Sequence, residues 1–517
     1  MPQPFRIYNT RTRKVEDFLP LEAGKVGLYV CGMTVYDRAH VGHARAMVLF
    51  DTFVRYLRHR GWVVSFVRNF TDVDDKIISR AGQLGISAEQ LARREIEAFE
   101  RDVLALGLAA PSLEPTVTGS IDAIQRMITR LIDQGHAYEA EGNVWFAVDS
   151  FSRYGALSGQ KPGELRSADA AAGKRHAADF ALWKAAKPGE PAWESAWGAG
   201  RPGWHIECSA MAYEALGTTF DIHGGGLDLV FPHHENEVAQ SECANGATYA
   251  RYWMHNGLLT VAEGQKMGKS LGNVVNIEAV VQQFPAEAIR LYYLQDHYRS
   301  PLPWSEQSLP EALGMLSRLY DARDAAESIA GSKLASGSPA ASSPAASSPA
   351  ASSPAELDKL AKELGPDAQA VVEQARGFAT RFYAALDDDF NTARALAEAF
   401  SLARALNRFA AHKKAKQRGA PIVAPALAAF ELVSHSIGLL GSSAQELIEE
   451  VKDKRLSAFG LLRQEVEQKI AARQEHREQK RWSEADAIRK ELEVQRIQIM
   501  DSPEGCRWRV ALTSASE

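Results

Sequence analysis

Cysteine is scarce: Cys31, Cys208, Cys243 and Cys506 are the four in 517 residues, far apart and with no C-x-x-C pair. That spacing excludes the disulfide framework of small secreted domains and a zinc-ribbon pattern, and it suits free or metal-bound thiols in a reducing compartment. No run of 18 or more apolar residues occurs, and Met1–Thr10 has no apolar leader core; a soluble cytoplasmic protein with no membrane partner is therefore expected. Charge of one sign is lacking too. With 59 basic and 65 acidic residues, the formal net charge is −6, so any nucleic-acid binding must rest on local basic surfaces rather than a global field. There is no H-E-x-x-H helix of the zinc-hydrolase kind.

What is present is a chain that is 45% hydrophobic, enough for a substantial core divided among about three or four domains. Val26–Cys31 is short, apolar and β-prone, with Gly32 at its end; Met47, Phe50, Val54 and Leu57 then recur at helical spacing as far as Gly61, and Trp62–Val67 reads as a second buried strand. This βαβ pattern predicts an α/β fold with a Rossmann-type parallel sheet, whose crevice at the strand ends is a nucleotide site. His40-Val41-Gly42-His43 falls where the loop feeds the helix, offering two imidazoles around a glycine that lets backbone approach phosphate. Lys266-Met267-Gly268-Lys269-Ser270 offers two ammonium groups on a glycine-loosened loop. Each tetra- or pentapeptide alone is commonplace; together, in this order, they point to a triphosphate.

From Asp74 to Gln134 the pattern is helical, and residues 136–202, rich in Gly, Pro and Trp with short strands such as Asn143–Val148, read as an insertion that splits a catalytic domain into 1–135 and 203–265. The α/β pattern resumes with a strand at Thr219–His223, the loop glycines Gly224–Gly226, a helix over His233–Ala244 and a strand at Gly257–Val261. Residues 266–335 hold the lysine signature and following segment; 336–356, a Ser-Pro-Ala repeat, read as a disordered linker. A helical bundle over 357–445 precedes a small unit over 446–517, with a long helical stretch at Leu462–Val494 and a terminal hairpin of Ile497–Met500 and Arg507–Leu512.

A second cluster is Cys208 with Phe231-Pro232-His233-His234-Glu235-Asn236-Glu237. On a helix His233 and Glu237 share a face, as an H-x-x-x-H pair does around zinc; Cys31 joins them if the two α/β halves form one sheet. His234 and Glu235 are expected on other faces. The competing reading is a surface hydrogen-bonded pair with cysteines buried as small hydrophobes.

Cys31-Gly32-Met33-Thr34-Val35-Tyr36-Asp37, the histidine signature, Arg68–Lys76, Pro202–Ser209, Gly224–Asp228, Phe231–Glu237, Lys266–Ser270 and Asp387-Asp388-Asp389-Phe390-Asn391-Thr392 occur in this order. In these motifs the chain resembles the bacterial cysteinyl-tRNA synthetases over nearly its whole length. The resemblance implies a class I synthetase acting on L-cysteine, ATP and tRNA(Cys), as a monomer, with Mg²⁺ accompanying ATP and one Zn²⁺ held by Cys31, Cys208, His233 and Glu237. Thr71, Trp204 and His223 would line the amino-acid pocket. His40, His43, Lys266 and Lys269 would act on the phosphates, with Gly224, Gly225, Gly226, Asp228 and Ser270 also at ATP. Gly268 stands where the family has serine, and Val41 where it has isoleucine. The insertion would bind the acceptor end, and Trp482, Arg507 and Trp508 would contact tRNA. Alternatives are a cysteine ligase using an amino sugar, a non-catalytic tRNA-binding paralogue, and, more remotely, a zinc hydrolase.

Overall fold

Two long runs of alternating and doubly buried residues, Lys25–Thr34 and Val63–Thr71, pair in parallel at the heart of a four-stranded sheet. The computed structural model describes residues 4–161, 173–261, 274–331, 353–502 and 505–511. The sheet is completed by Phe220–Gly226, which pairs with the first strand, and Ala250–Asn256 beyond it, every neighbour parallel. The helix Val41–His59 crosses between the first two strands and buries Val48, Phe50, Phe53, Val54 and Leu57. Each large apolar side chain so buried contributes roughly 1.5–3 kcal/mol, and this face anchors the histidine signature at the helix start.

Several boundaries differ from the sequence reading. Gly32 does not end the first strand, which continues to Thr34 across a register shift between Val30 and Met33. The glycine is needed there for close approach, since a Cβ would fall 1.5 Å from the Asn69 carbonyl oxygen. Gly224–Gly226 are not loop residues but the last three of their strand, opposite Met254, His255 and Asn256. The expected strand at Gly257–Val261 is displaced upstream to Ala250–Asn256, leaving a two-residue strand, Leu259–Thr260, that pairs with Leu302–Pro303.

The insertion forms a separate antiparallel sheet from Ala137–Ala140, Asn143–Phe146, Phe180–Ala185 and Gly200–Pro202. Val148 lies beyond its strand, in a single 3₁₀ turn. The lysine signature and most of the Ser-Pro-Ala repeat lie outside the described residues; Pro354–Glu356, assigned to the linker from sequence, instead open a helix capped by Ser353. The bundle packs Ser308–Ala330, Pro366–Ala375, Thr392–Ala410 and Ala420–Ile437 together. The last of these is apolar and long enough by composition to cross a membrane, but half of it is buried in the protein. The charged stretch at Leu462–Val494 is two helices, Arg463–Glu478 and Trp482–Val494, parted at Lys480 in a left-handed conformation, followed by an antiparallel hairpin.

Candidate active site and metal centre

His40 caps the helix it precedes. Its Nδ1 accepts from the Gly42 amide at 3.0 Å, while the His40 amide donates to His43 Nδ1 at 3.2 Å, a reciprocal box that satisfies two otherwise orphaned amides. The two rings lie with centroids 3.8 Å apart. At Gly42 a Cβ would come within 2.7 Å of the His40 ring, so a larger residue there would displace that ring. Val41 donates to the Val275 carbonyl and Ile277 to that of Ala39, so the chain leaving the lysine signature is stitched to the histidine signature. Asp228 sits on the single turn Leu227–Leu229 that follows the glycine-ended strand.

The thiol of Cys31 arrives on the first strand and that of Cys208 on the helix Trp204–Leu216. Their Sγ atoms stand 3.7 Å apart, with Glu237 Oε1 3.4 Å from Cys31 Sγ and 3.1 Å from His233 Nε2. Two thiolates on one tetrahedral ion at about 2.3 Å must lie about 3.7 Å apart, which is the separation here. His233 Nδ1 is 3.0 Å from His205 Nδ1, leaving Nε2 for the cluster in the manner of an oriented ligand. The donor chemistry and spacing of these four residues fit zinc.

The chain reaches this arrangement by a route that helical spacing did not foresee. His233 lies in a π-turn, Val230–His234, and the regular helix begins only at Glu235. The wider turn swings His234 inward: its Nε2 is 3.9 Å from Glu237 Oε1, and Cys31, His223, His234 and Glu237 form a second donor group overlapping the first. His234 is thus in the cluster and not on another face. Glu235 does face elsewhere, accepting from the amides of Gly155, Leu157 and Ser158 and so fastening the insertion to the metal-side helix.

Electrostatics within this pocket are those of buried, mutually dependent groups. Burial pushes the Cys31 thiol well above its usual range, whereas the hydrogen bond from Cys31 draws Cys208 down to about 6. Burial works against ionisation of Glu237, but His223 and His233 outweigh it and hold the carboxyl below its ordinary value. Burial likewise keeps His234 neutral, reinforced by His223 and His255.

Of the residues assigned to the amino-acid pocket, His223 Nε2 donates to Glu237 Oε2 at 2.9 Å, Trp204 stacks on His233 with centroids 4.3 Å apart, and Thr71 Oγ1 donates to Glu207 Oε2 at 2.9 Å. Sequence reasoning missed three participants. His205 was visible only as the neighbour of Trp204; His255 meets His234 at 2.8 Å, and Tyr249 donates to Glu237 Oε2 at 2.9 Å, neither with a local signal. At the far end of the chain, Trp482 is exposed, but Trp508 is a core residue of the terminal unit, only 9% accessible, with Lys452 over its ring. Its face is therefore not open for stacking on a base, contrary to the sequence expectation. Arg507 follows Cys506 on the same strand.

The parallel sheet, the histidine-capped helix and the adjoining donor cluster all lie between Lys25 and Asn256. Residues 17–314 match the tRNA synthetases class I (C) catalytic domain and residues 381–434 the DALR domain. Among solved structures, methionyl-tRNA synthetase from Mycobacterium tuberculosis bound by methionyl-adenylate superposes with a TM-score of 0.59 at 14% identity, covering 82% of this chain and 94% of that one; this is a likeness of fold. The cysteine–tRNA ligase of Geobacter sulfurreducens is 44% identical over 98% of this chain and 99% of its own. That of Alkalilimnicola ehrlichii is 46% identical over 97% and 99%. The chain belongs to the cysteine–tRNA ligase family.

Proposed function

We propose that this enzyme activates L-cysteine with ATP to cysteinyl-adenylate, releasing diphosphate, and transfers the cysteinyl group to tRNA(Cys). The observation that carries the reading is the Cys31, Cys208, His233 and Glu237 donor set, with its 3.7 Å sulfur separation, on the same sheet as the histidine-capped helix. Cys31, Cys208, His233 and Glu237 would hold Zn²⁺. Bound there, the ion rewards a substrate thiolate, whereas a serine hydroxyl stays protonated at neutral pH and ligates poorly. Thr71, Trp204 and His223 shape the pocket around the amino acid.

The carboxylate of cysteine attacks the α-phosphorus of ATP, and positioning with charge stabilisation dominates such a step. His40 and His43 donate to phosphate oxygens; Lys266 and Lys269, with Ser270 beside them, neutralise charge that grows on the phosphates, in company with Mg²⁺. Gly224, Gly225 and Gly226 give the nucleoside a surface without side chains, and Asp228 accepts from a ribose hydroxyl. Residues 136–202 take the acceptor end, 266–335 the stem, 357–445 the body of the tRNA and 446–517 the anticodon, with Trp482 and Arg507 as contacts. The protein works as a cytoplasmic monomer.

The test is ATP-dependent attachment of labelled cysteine to a tRNA(Cys) transcript. Charging with cysteine establishes the reading. Folded, zinc-loaded protein that consumes ATP with cysteine yet leaves the transcript uncharged overturns it in favour of a small amine acceptor.

A further inference from the structure

Arg45 lies two residues beyond His43, on the same helix, and is 2% exposed. Its guanidinium donates to the carbonyl of Leu258 at 2.8 Å, to that of Tyr298 at 3.3 Å, and to that of Ser300. Burial lowers its basicity to about 10, so it stays charged at neutral pH with carbonyl dipoles as its partners. Three bonds to two chain segments fix where both run relative to the histidine helix. One segment leads into Leu259–Thr260 and the other into Leu302–Pro303, the pair of short strands that run side by side.

The same few residues are also gripped by Asp389, just ahead of the bundle helix Thr392–Ala410. Asp389, 4% exposed, accepts from Tyr298 OH at 2.7 Å, from Arg299 Nε at 2.8 Å and from the Tyr8 amide at 2.8 Å. Asp389 and Phe390 both have left-handed backbone, φ 59° and 47°, a strained state that survives only where the surroundings over-determine it. What determines it here is contact with the catalytic unit. Phe390 packs edge-on against Phe53 with centroids 5.1 Å apart, and Asp387 accepts from Tyr56 OH at 2.5 Å; Phe53 and Tyr56 belong to the histidine helix.

We propose that Tyr298–Ser300 is a positioning joint, clamped between Arg45 and Asp389, which acts together with the direct Phe390–Phe53 and Asp387–Tyr56 contacts to let the helical bundle set the register of the histidine helix for cysteine activation. Asp389, Arg299 and Arg45 are positioning residues, acting through the helix that carries His40 and His43. The proposal rests on the functional reading above for its kinetic test and on the structure alone for its exchange test.

Cysteine-dependent pyrophosphate exchange on full-length Asp389→Asn and Arg299→Gln is expected to show kcat lowered about 10- to 100-fold, the loss that goes with misplacement on the order of 1 Å, with KM for ATP and cysteine within about twofold. Arg45→Lys should lower kcat likewise, and its combination with Asp389→Asn should fall short of the product of the two losses, as residues in one network do. Independently of activity, hydrogen exchange of the amides near Ala44–Met47 should quicken about tenfold in Asp389→Asn while those of Phe220–Gly226 hold. Loss of exchange activity in the parent itself would overturn the functional reading and leave hydrogen exchange to decide the joint. Unchanged kcat in folded variants, multiplicative losses, or loosening spread evenly over the sheet would overturn the joint.

Discussion

Cys31 and Cys208, 177 positions apart in the chain, bring their sulfurs to 3.7 Å. The approach is made by the parallel pairing of the first strand with Phe220–Gly226 and by the helix Trp204–Leu216 packed on the sheet. A spacing suited to one tetrahedral ion therefore depends on the two halves of the catalytic sheet closing across the insertion.

Replacing either thiol should empty the centre. Cys31→Ser and Cys208→Ser are expected to drop bound zinc, measured by elemental analysis of purified protein, from one per chain to under about a tenth. Cys243→Ser is the control, since burial pushes that thiol up to about 12 and it stands outside both donor groups.

His205 should matter for metal affinity without being a ligand. Its Nδ1 meets the Nδ1 of His233 at 3.0 Å, and loss of such an orienting partner typically weakens binding 10- to 100-fold. Competition with a zinc chelator on His205→Leu should show that weakening, with the stoichiometry kept at one.

Gly42→Ala tests the histidine cap. The new Cβ would meet the His40 ring at 2.7 Å, so the ring must swing away and the reciprocal cap opens. A stability loss of about 0.5–2 kcal/mol is expected from the cap, alongside a fall in pyrophosphate-exchange kcat of about 100-fold. Denaturant unfolding and exchange kinetics on the same preparation separate the two.

Asp51 anchors the histidine helix through a buried pair with Arg290 at 2.7 Å, both side chains 4% exposed. Burial by itself would raise this carboxyl, but Arg290 and Arg55 outweigh it and hold it below the ordinary range. A depressed folded value stabilises above the unfolded pKa of about 3.9, and that stability drains as pH falls through the lower folded value. Asp51→Asn, which leaves Arg290 uncompensated, should cost about 3–5 kcal/mol at pH 7. The gap between parent and variant in denaturant melts should narrow below about pH 4.

The βαβ start was legible from spacing, and the histidine signature does fall at the helix start it was expected to feed; His233 and Glu237 do meet, but from a π-turn rather than from the regular helix that the spacing assumed. His234 was not legible, because the π-turn places it by a wider step than the helix rule assumes. The glycine triplet was misread as loop since glycine disfavours strands in general, yet here Phe50 and His234 press against Gly224 and Gly225 so closely that a Cβ would meet them at 2.5 and 2.8 Å. Trp508 was equally ambiguous, aromatic rings serving cores and bases alike; burial decided it. The Asp389 clamp was unreadable from sequence, since its partners Tyr8 and Arg299 are distant in the chain and belong to no local pattern.

The centre built by Cys31, Cys208, His233 and Glu237 is expected to select a thiol. The most direct measurement of that selection is the ratio of kcat/KM for cysteine over serine in pyrophosphate exchange by the zinc-loaded enzyme. A ratio of about 10⁴ to 10⁵ is expected, the range open to a site that rejects an analogue lacking its bonding group without editing. A ratio near 10², what mere shape discrimination supplies, would contradict it.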